Sequence, residues 1–123
     1  MRCVEQKKSS GGVRIFKALE RERLLSELRA WAANIQCCRP EVTRIGLFGS
    51  YARGDYSPGS DADVLILVRH CQEPVWFLRS LAYDTASLPV AVDLLVYTEQ
   101  EARRLNDGRK WFKRVLSETL WLC

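Results

Sequence analysis

The chain holds one histidine and five cysteines, and no two cysteines form a Cys-x-x-Cys pair. Zinc sites need clustered Cys and His ligands, so a structural zinc module is excluded. The odd count, from Cys3, Cys37, Cys38, Cys71 and Cys123, reads as free thiols. The vicinal Cys37–Cys38 pair is expected to act as two partly buried small hydrophobes, and His70 to face solvent. No run approaches eighteen uninterrupted apolar residues, which argues against a membrane-spanning helix. The segment Met1–Gly12 lacks the apolar core of a signal peptide, and a cytoplasmic protein is expected. Gly-x-Gly-x-x-Gly and Gly-Lys-Ser/Thr are both missing, which removes the Rossmann dehydrogenase and P-loop kinase readings.

What is present fits one small domain. A length of 123 residues at 47% hydrophobic supports a single compact core. The expected division is a flexible tail over 1–13 and one domain over 14–123. A net charge of +4 is mild and spread along the chain, so nucleic acid is not a required partner.

The informative stretch is Gly49-Ser50, ten residues, Asp61-Ala62-Asp63, and then the apolar run Val64–Val68. Gly49 ends a strand-like segment, where a residue without Cβ lets phosphate approach the backbone. Ser50 adds a hydroxyl donor. Asp61 and Asp63 open a strand, and side chains two apart on a strand face the same side. Paired carboxylates resist joint ionisation unless a cation lies between them, and Mg²⁺ is the natural hard ion for oxygen ligands. Asp93, inside the apolar run Val90–Tyr97, is a third carboxylate. It is expected in the middle of a buried strand, where isolation is costly, and sharing the metal of Asp61 and Asp63 removes that cost. One or two Mg²⁺ ions on three carboxylates suit phosphoryl transfer. Arg53 has two readings, a phosphate partner or a clasp on Asp55. Ser60 sits in a turn-rich loop and is a further candidate nucleotide contact.

Gly49-Ser50-(ten residues)-Asp61-Ala62-Asp63 resembles the signature of the minimal nucleotidyltransferases, in the DNA polymerase beta-like superfamily. Asp93 falls where that superfamily carries its third carboxylate, and the likeness covers about Thr43 to Tyr97. The resemblance implies the nucleotidyltransferase fold, an α/β (α+β) architecture with a small mixed sheet of about three strands under helices. It implies Asp61, Asp63 and Asp93 as catalytic and metal-binding residues, Mg²⁺ as cofactor and ATP as substrate. Stand-alone members resemble antitoxins that add AMP to a tyrosine of a HEPN-type ribonuclease toxin. Two alternatives remain open: a non-catalytic partner-binding antitoxin or scaffold, and transfer to a small molecule.

Around the motif, a helix is expected from about Arg14 to Cys38, ended by Pro40, with the charges Arg21, Glu22, Arg23, Glu27 and Arg29 solvated. Ser50–Arg53 should form one helical turn. Gln72–Ser87 has helical spacing, with Trp76 and Phe77 expected in the core or an interface rather than as a base-stacking platform. Thr98 and Glu101 match a capping box for a helix ending near Leu105. A last helix over Arg109–Leu122 carries Trp111, Phe112, Val115, Leu116, Leu120 and Trp121. That apolar surface either packs on the sheet or serves a homodimer or partner.

Overall fold

The computed structural model describes the backbone of residues 10–123 and the side chains of residues 19–123. The order of elements is α1 (Ser10–Cys38), β1 (Val42–Phe48), α2 (Ser50–Arg53), β2 (Ala62–Val68), a 3-10 helix (Trp76–Ala82), β3 (Val92–Thr98), α3 (Glu99–Gly108), α4 (Lys110–Glu118) and β4 (Leu120–Trp121). The strands form one mixed sheet in the order β3-β2-β1-β4. β1 is antiparallel to both its neighbours, while β2 and β3 run parallel.

β2 is central, and its residues Val64 to Val68 are all buried. Alternation along the strand therefore feeds two apolar layers. Val64, Ile66 and Val68 pack with Leu24, Leu25, Leu28, Trp31 and Ala32 of α1. Leu65 and Leu67 pack with Tyr97, Ala102 and Phe112 on the face covered by α3 and α4. Each such large side chain contributes about 1.5–3 kcal/mol when fully buried. The Trp31 indole N–H also donates to the Asp84 carbonyl at 2.8 Å, tying α1 to the loop before β3.

Several expectations are corrected. The sheet has four strands, because the expected last helix stops at Glu118 and Leu120–Trp121 pairs with β1. The reason is Gly46: a Cβ there would lie 2.3 Å from Thr119 Cγ2 and 2.8 Å from Trp121, so only glycine admits this strand. The Arg44 guanidinium lies 3.6 Å from the centre of the Trp121 ring and covers it. Trp121 is thus a half-buried strand residue rather than part of the last helix. The 72–87 segment forms only a seven-residue 3-10 helix, and Trp76 and Phe77 stand 51% and 61% exposed, which excludes the core and leaves the interface of the two expected places. Pro74 and Pro89 bracket that segment and limit regular helix. α3 continues to Gly108, past the expected turn.

Smaller differences concern single side chains. Cys37 and Cys38 are exposed, at the C-terminal end of α1. Arg21 is not merely solvated: its Nε and Nη2 donate to the Tyr51 and Ala52 carbonyls at 2.7 and 2.9 Å. α1 starts at Ser10, within the expected tail; Met1–Ser9 lie outside the described residues. Among the described residues no helix is long and apolar enough to cross a membrane.

Candidate nucleotide and metal site

The sheet connectivity brings the motif residues together. β1 ends at Phe48 and delivers Gly49 and Ser50 to one edge of the sheet. β2 runs back antiparallel, so Asp63 pairs with Phe48 and arrives beside that turn. β3 lies parallel to β2 in the register Asp63↔Asp93. Neighbouring strands stand about 4.8 Å apart, so these two carboxylates are adjacent on one face. By alternation it is the face of Leu65, Leu67 and Tyr97, beneath α3 and α4. Asp61 is exposed on the lead-in to β2.

Asp93 departs from expectation. It is exposed, since β3 is an edge strand and its first residues are uncovered. The buried member of the group is Asp63, which is half-buried. Burial pushes its carboxyl above the ordinary range, and the neighbouring charges of Asp93, Asp61 and Glu118 push it the same way, against Arg53. A cation would relieve that repulsion, and the donors are hard carboxylate oxygens, so the set fits Mg²⁺. Among the described residues, no three His, Cys, Asp or Glu side chains close around one point. The arrangement is an in-register pair with Asp61 at its mouth.

Gly49 has φ +77° and ψ −154°, a conformation that L side chains rarely adopt. Its Cα is also pressed against Asp63: a Cβ would lie 2.2 Å from Asp63 Oδ2. Glycine here serves both the backbone angle and the contact. Ser50 opens α2, and its hydroxyl makes no hydrogen bond with the described residues. The turn is braced from behind by Arg21 on the α2 carbonyls and by Tyr51 stacked on Tyr56 at 4.2 Å. Ser60 Oγ accepts from the Ser57 N–H at 2.9 Å, which closes the loop before Asp61.

Arg53 takes the clasp of its two readings and adds a partner. Its Nε donates to Asp55 Oδ2 at 3.2 Å, and Nη1 reaches Glu118 Oε2 at 3.1 Å. Glu118 also accepts the Gly49 N–H at 2.8 Å. Nothing in the motif spacing points to this glutamate, which lies 68 residues beyond Ser50. Only the β1–β4 pairing brings it to the turn.

Beside Asp63 and Asp93 lies an open cavity of about 660 Å³, walled by Phe48, Leu81, Tyr83, Val92 and Leu95. It can take a side chain or a nucleoside. His70 is exposed, as expected, and lines a different cavity with Cys71 and Arg79, where the C-terminal ends of β2 and β3 lie.

Comparison with known proteins agrees with this geometry. The chain belongs to the nucleotidyltransferase domain family, whose profile matches residues 30–121. "Putative protein adenylyltransferase MJ0141" of Methanocaldococcus jannaschii is 61% identical over 31 residues, 25% of this chain and 31% of that protein. The match thus spans under a third of the relative's length. The crystal structure of a putative nucleotidyltransferase from Sulfolobus solfataricus aligns with a TM-score of 0.58 at 29% identity, over 72% of this chain and 79% of that one. A toxin-antitoxin crystal structure with AMP-PNP aligns with a TM-score of 0.52 at 21% identity, over 77% and 72% of the two chains. That last likeness concerns the fold alone.

Proposed function

We propose that this member of the nucleotidyltransferase family moves AMP from ATP to a hydroxyl of a partner protein, in the cytoplasm, and that the partner is a HEPN-type ribonuclease toxin silenced by the modification. The observation that carries the transfer is the in-register pair Asp63–Asp93 beside the Gly49–Ser50 turn. The name of the Methanocaldococcus relative supports protein as acceptor, and the toxin-antitoxin likeness supports the partner class.

In this reading the triphosphate lies against Gly49 and Ser50, with Arg53 and Ser60 nearby. The partner's hydroxyl oxygen attacks the α-phosphorus and forms the new P–O bond. The bridging P–O bond to the β-phosphate breaks, and pyrophosphate leaves with its electron pair. Asp93, exposed on the same face as Asp63, accepts the hydroxyl proton. Mg²⁺, held by Asp61, Asp63 and Asp93, would neutralise charge on the triphosphate. The rest of the catalysis is positioning of groups on rigid strands.

The cavity beside the carboxylates is where an acceptor side chain would enter, with Leu81 on its wall. Leu81 also belongs to an exposed apolar strip with Val75, Trp76, Phe77 and Leu78. Contiguous apolar surface of this kind marks protein contact, and it is the specific observation that keeps a purely binding antitoxin as a second reading. One experiment separates the two. Wild-type protein, labelled ATP, Mg²⁺ and the candidate toxin should leave covalent label on the toxin. If the Asp61→Ala/Asp63→Ala double variant protects cells as well as wild type, neutralisation is by binding alone.

A further inference from the structure

Glu118 stands where a carboxylate is out of place. It is the last residue of α4, and the C-terminal end of a helix carries partial negative charge that disfavours an anion. It also lies close enough to Asp63 to add to the repulsion there. Yet its side chain is only 16% exposed and is held from two sides. The Gly49 N–H donates to Oε2 at 2.8 Å. Arg53 Nη1 donates toward both oxygens, at 3.2 and 3.1 Å.

Capping a strand-end amide does not require a charge. The side-chain carbonyl of a glutamine would accept the Gly49 N–H equally well and would not repel Asp63. The charge is explained by Arg53. Glu118 and Asp55 together grip Nη1 and Nε of its guanidinium. Nη2 has no partner among the described residues, so its N–H groups stay available to an oxyanion. A guanidinium fixed by two carboxylates loses less freedom when it takes a third ligand.

We infer that Glu118 is a positioning residue for the nucleotide. It sets the Gly49 turn and holds Arg53 so that its Nη2 meets the triphosphate. The inference rests on the proposed nucleotidyl transfer, and it joins the β1–β4 end of the sheet to nucleotide affinity. The opposite reading, in which Glu118 occupies the phosphate's place and competes with it, predicts the reverse sign.

Calorimetric titration with a non-hydrolysable ATP analogue and Mg²⁺, on the full chain, decides. Wild type should bind. Glu118→Gln, which keeps an acceptor for Gly49, should bind about 10-fold more weakly, the effect of one lost charge-assisted hydrogen bond, with its melting temperature little changed. In an Arg53→Ala background the same change should add less than about 2-fold, because Glu118 acts through Arg53. Equal or tighter binding by Glu118→Gln would overturn the inference alone, as would a full 10-fold loss in the Arg53→Ala background. Failure of wild type to bind would remove the nucleotide reading and this inference with it. Should Glu118→Gln melt much lower, Glu118→Asp, which keeps the charge, must recover affinity more than stability; the converse overturns it.

Discussion

The two ends of the parallel pair β2–β3 are built on opposite electrostatic plans. At the N-terminal ends, Asp63 and Asp93 stand side by side with Asp61 close at hand, and Asp63 is pushed toward protonation by burial and by its neighbours. At the C-terminal ends, the buried charge is answered. Arg79 is 5% exposed and donates to the Glu73 carbonyl at 2.8 Å, the Val96 carbonyl at 3.2 Å and Glu101 at 2.6 Å. That contact holds the Glu101 carboxyl below its ordinary range. One end carries unrelieved repulsion and the other spends its polar groups on stability. Groups that lower stability persist where they serve function. The placement is inverted, since open parallel sheets usually bind ligands at the C-terminal ends of their strands. Here the antiparallel β1 brings the Gly49 turn to the N-terminal ends instead.

The largest contrast should come from Asp63→Asn. Transfer activity is expected to fall at least about 100-fold, since the proposed mechanism loses a half-buried charge of the metal-holding set. The melting temperature should rise by about 2–5 °C, because repulsion at the site is relieved. A melt that drops while transfer persists would reverse the assignment of this end to function.

At the other end, Arg79→Ala should leave Glu101 and two backbone carbonyls without their donor. The expected loss is about 3 kcal/mol, the low end for a broken buried pair because Glu101 keeps a third of its side chain in water. For a domain of this size that is about 10 °C in melting temperature. Binding of the ATP analogue below the melt should survive. Its loss would mean that the two ends are not separable.

Acid should move the two ends in opposite senses. The folded-state pKa of Asp63 is raised, so its proton favours the fold: that contribution is full below the ordinary Asp range and is lost as pH rises through the raised value. The gain from Asp63→Asn should therefore be complete near neutral pH and vanish toward pH ~4. Glu101 is lowered, so its stabilisation is present above the ordinary Glu range and lost as pH falls through the depressed value. The cost of Glu101→Gln should shrink in acid over that window. Thermal melts of both variants against wild type, from about pH 3 to 7, read both trends. Parallel trends would erase the contrast.

Much of the site end is legible in the amino-acid sequence. Gly49, Ser50, Asp61 and Asp63 are close in the chain, and Asp93 lies at the same depth in the next parallel strand, so local spacing carries them. Glu118 is not legible, because its place depends on a two-residue strand that exists only by the absence of a side chain at Gly46. Whether Trp76 and Phe77 face the core or an interface is hidden for a similar reason. Helical spacing marks an apolar face but not whether anything covers it, and the edge of β3 leaves Trp76 stacked on Tyr97 with much of its ring in water. At the stable end the Thr98–Glu101 capping box is a local pattern that the sequence shows directly, whereas Arg79, which completes it, comes from a segment with no such signature.

The smallest expected effect tests that capping box. Thr98 Oγ1 accepts the Glu101 N–H at 3.1 Å, and Glu101 Oε1 accepts the Thr98 N–H at 2.9 Å. Thr98→Ala removes the first bond and leaves the second, so one N-terminal amide of α3 must turn to water. The typical cost is about 1 kcal/mol, and Thr98→Ser, which keeps the hydroxyl, should recover most of it. Glu101 remains tied to Arg79 in both variants, so the loss should stay well below that of Arg79→Ala. Thr98 lies five residues along β3 from Asp93, about 16 Å at strand rise. Transfer at the other end should therefore be unchanged below the melt. Urea melts of the two variants beside single-turnover assays make the comparison, and a fall in transfer with stability intact would show that the capped end of β3 reaches the carboxylates after all.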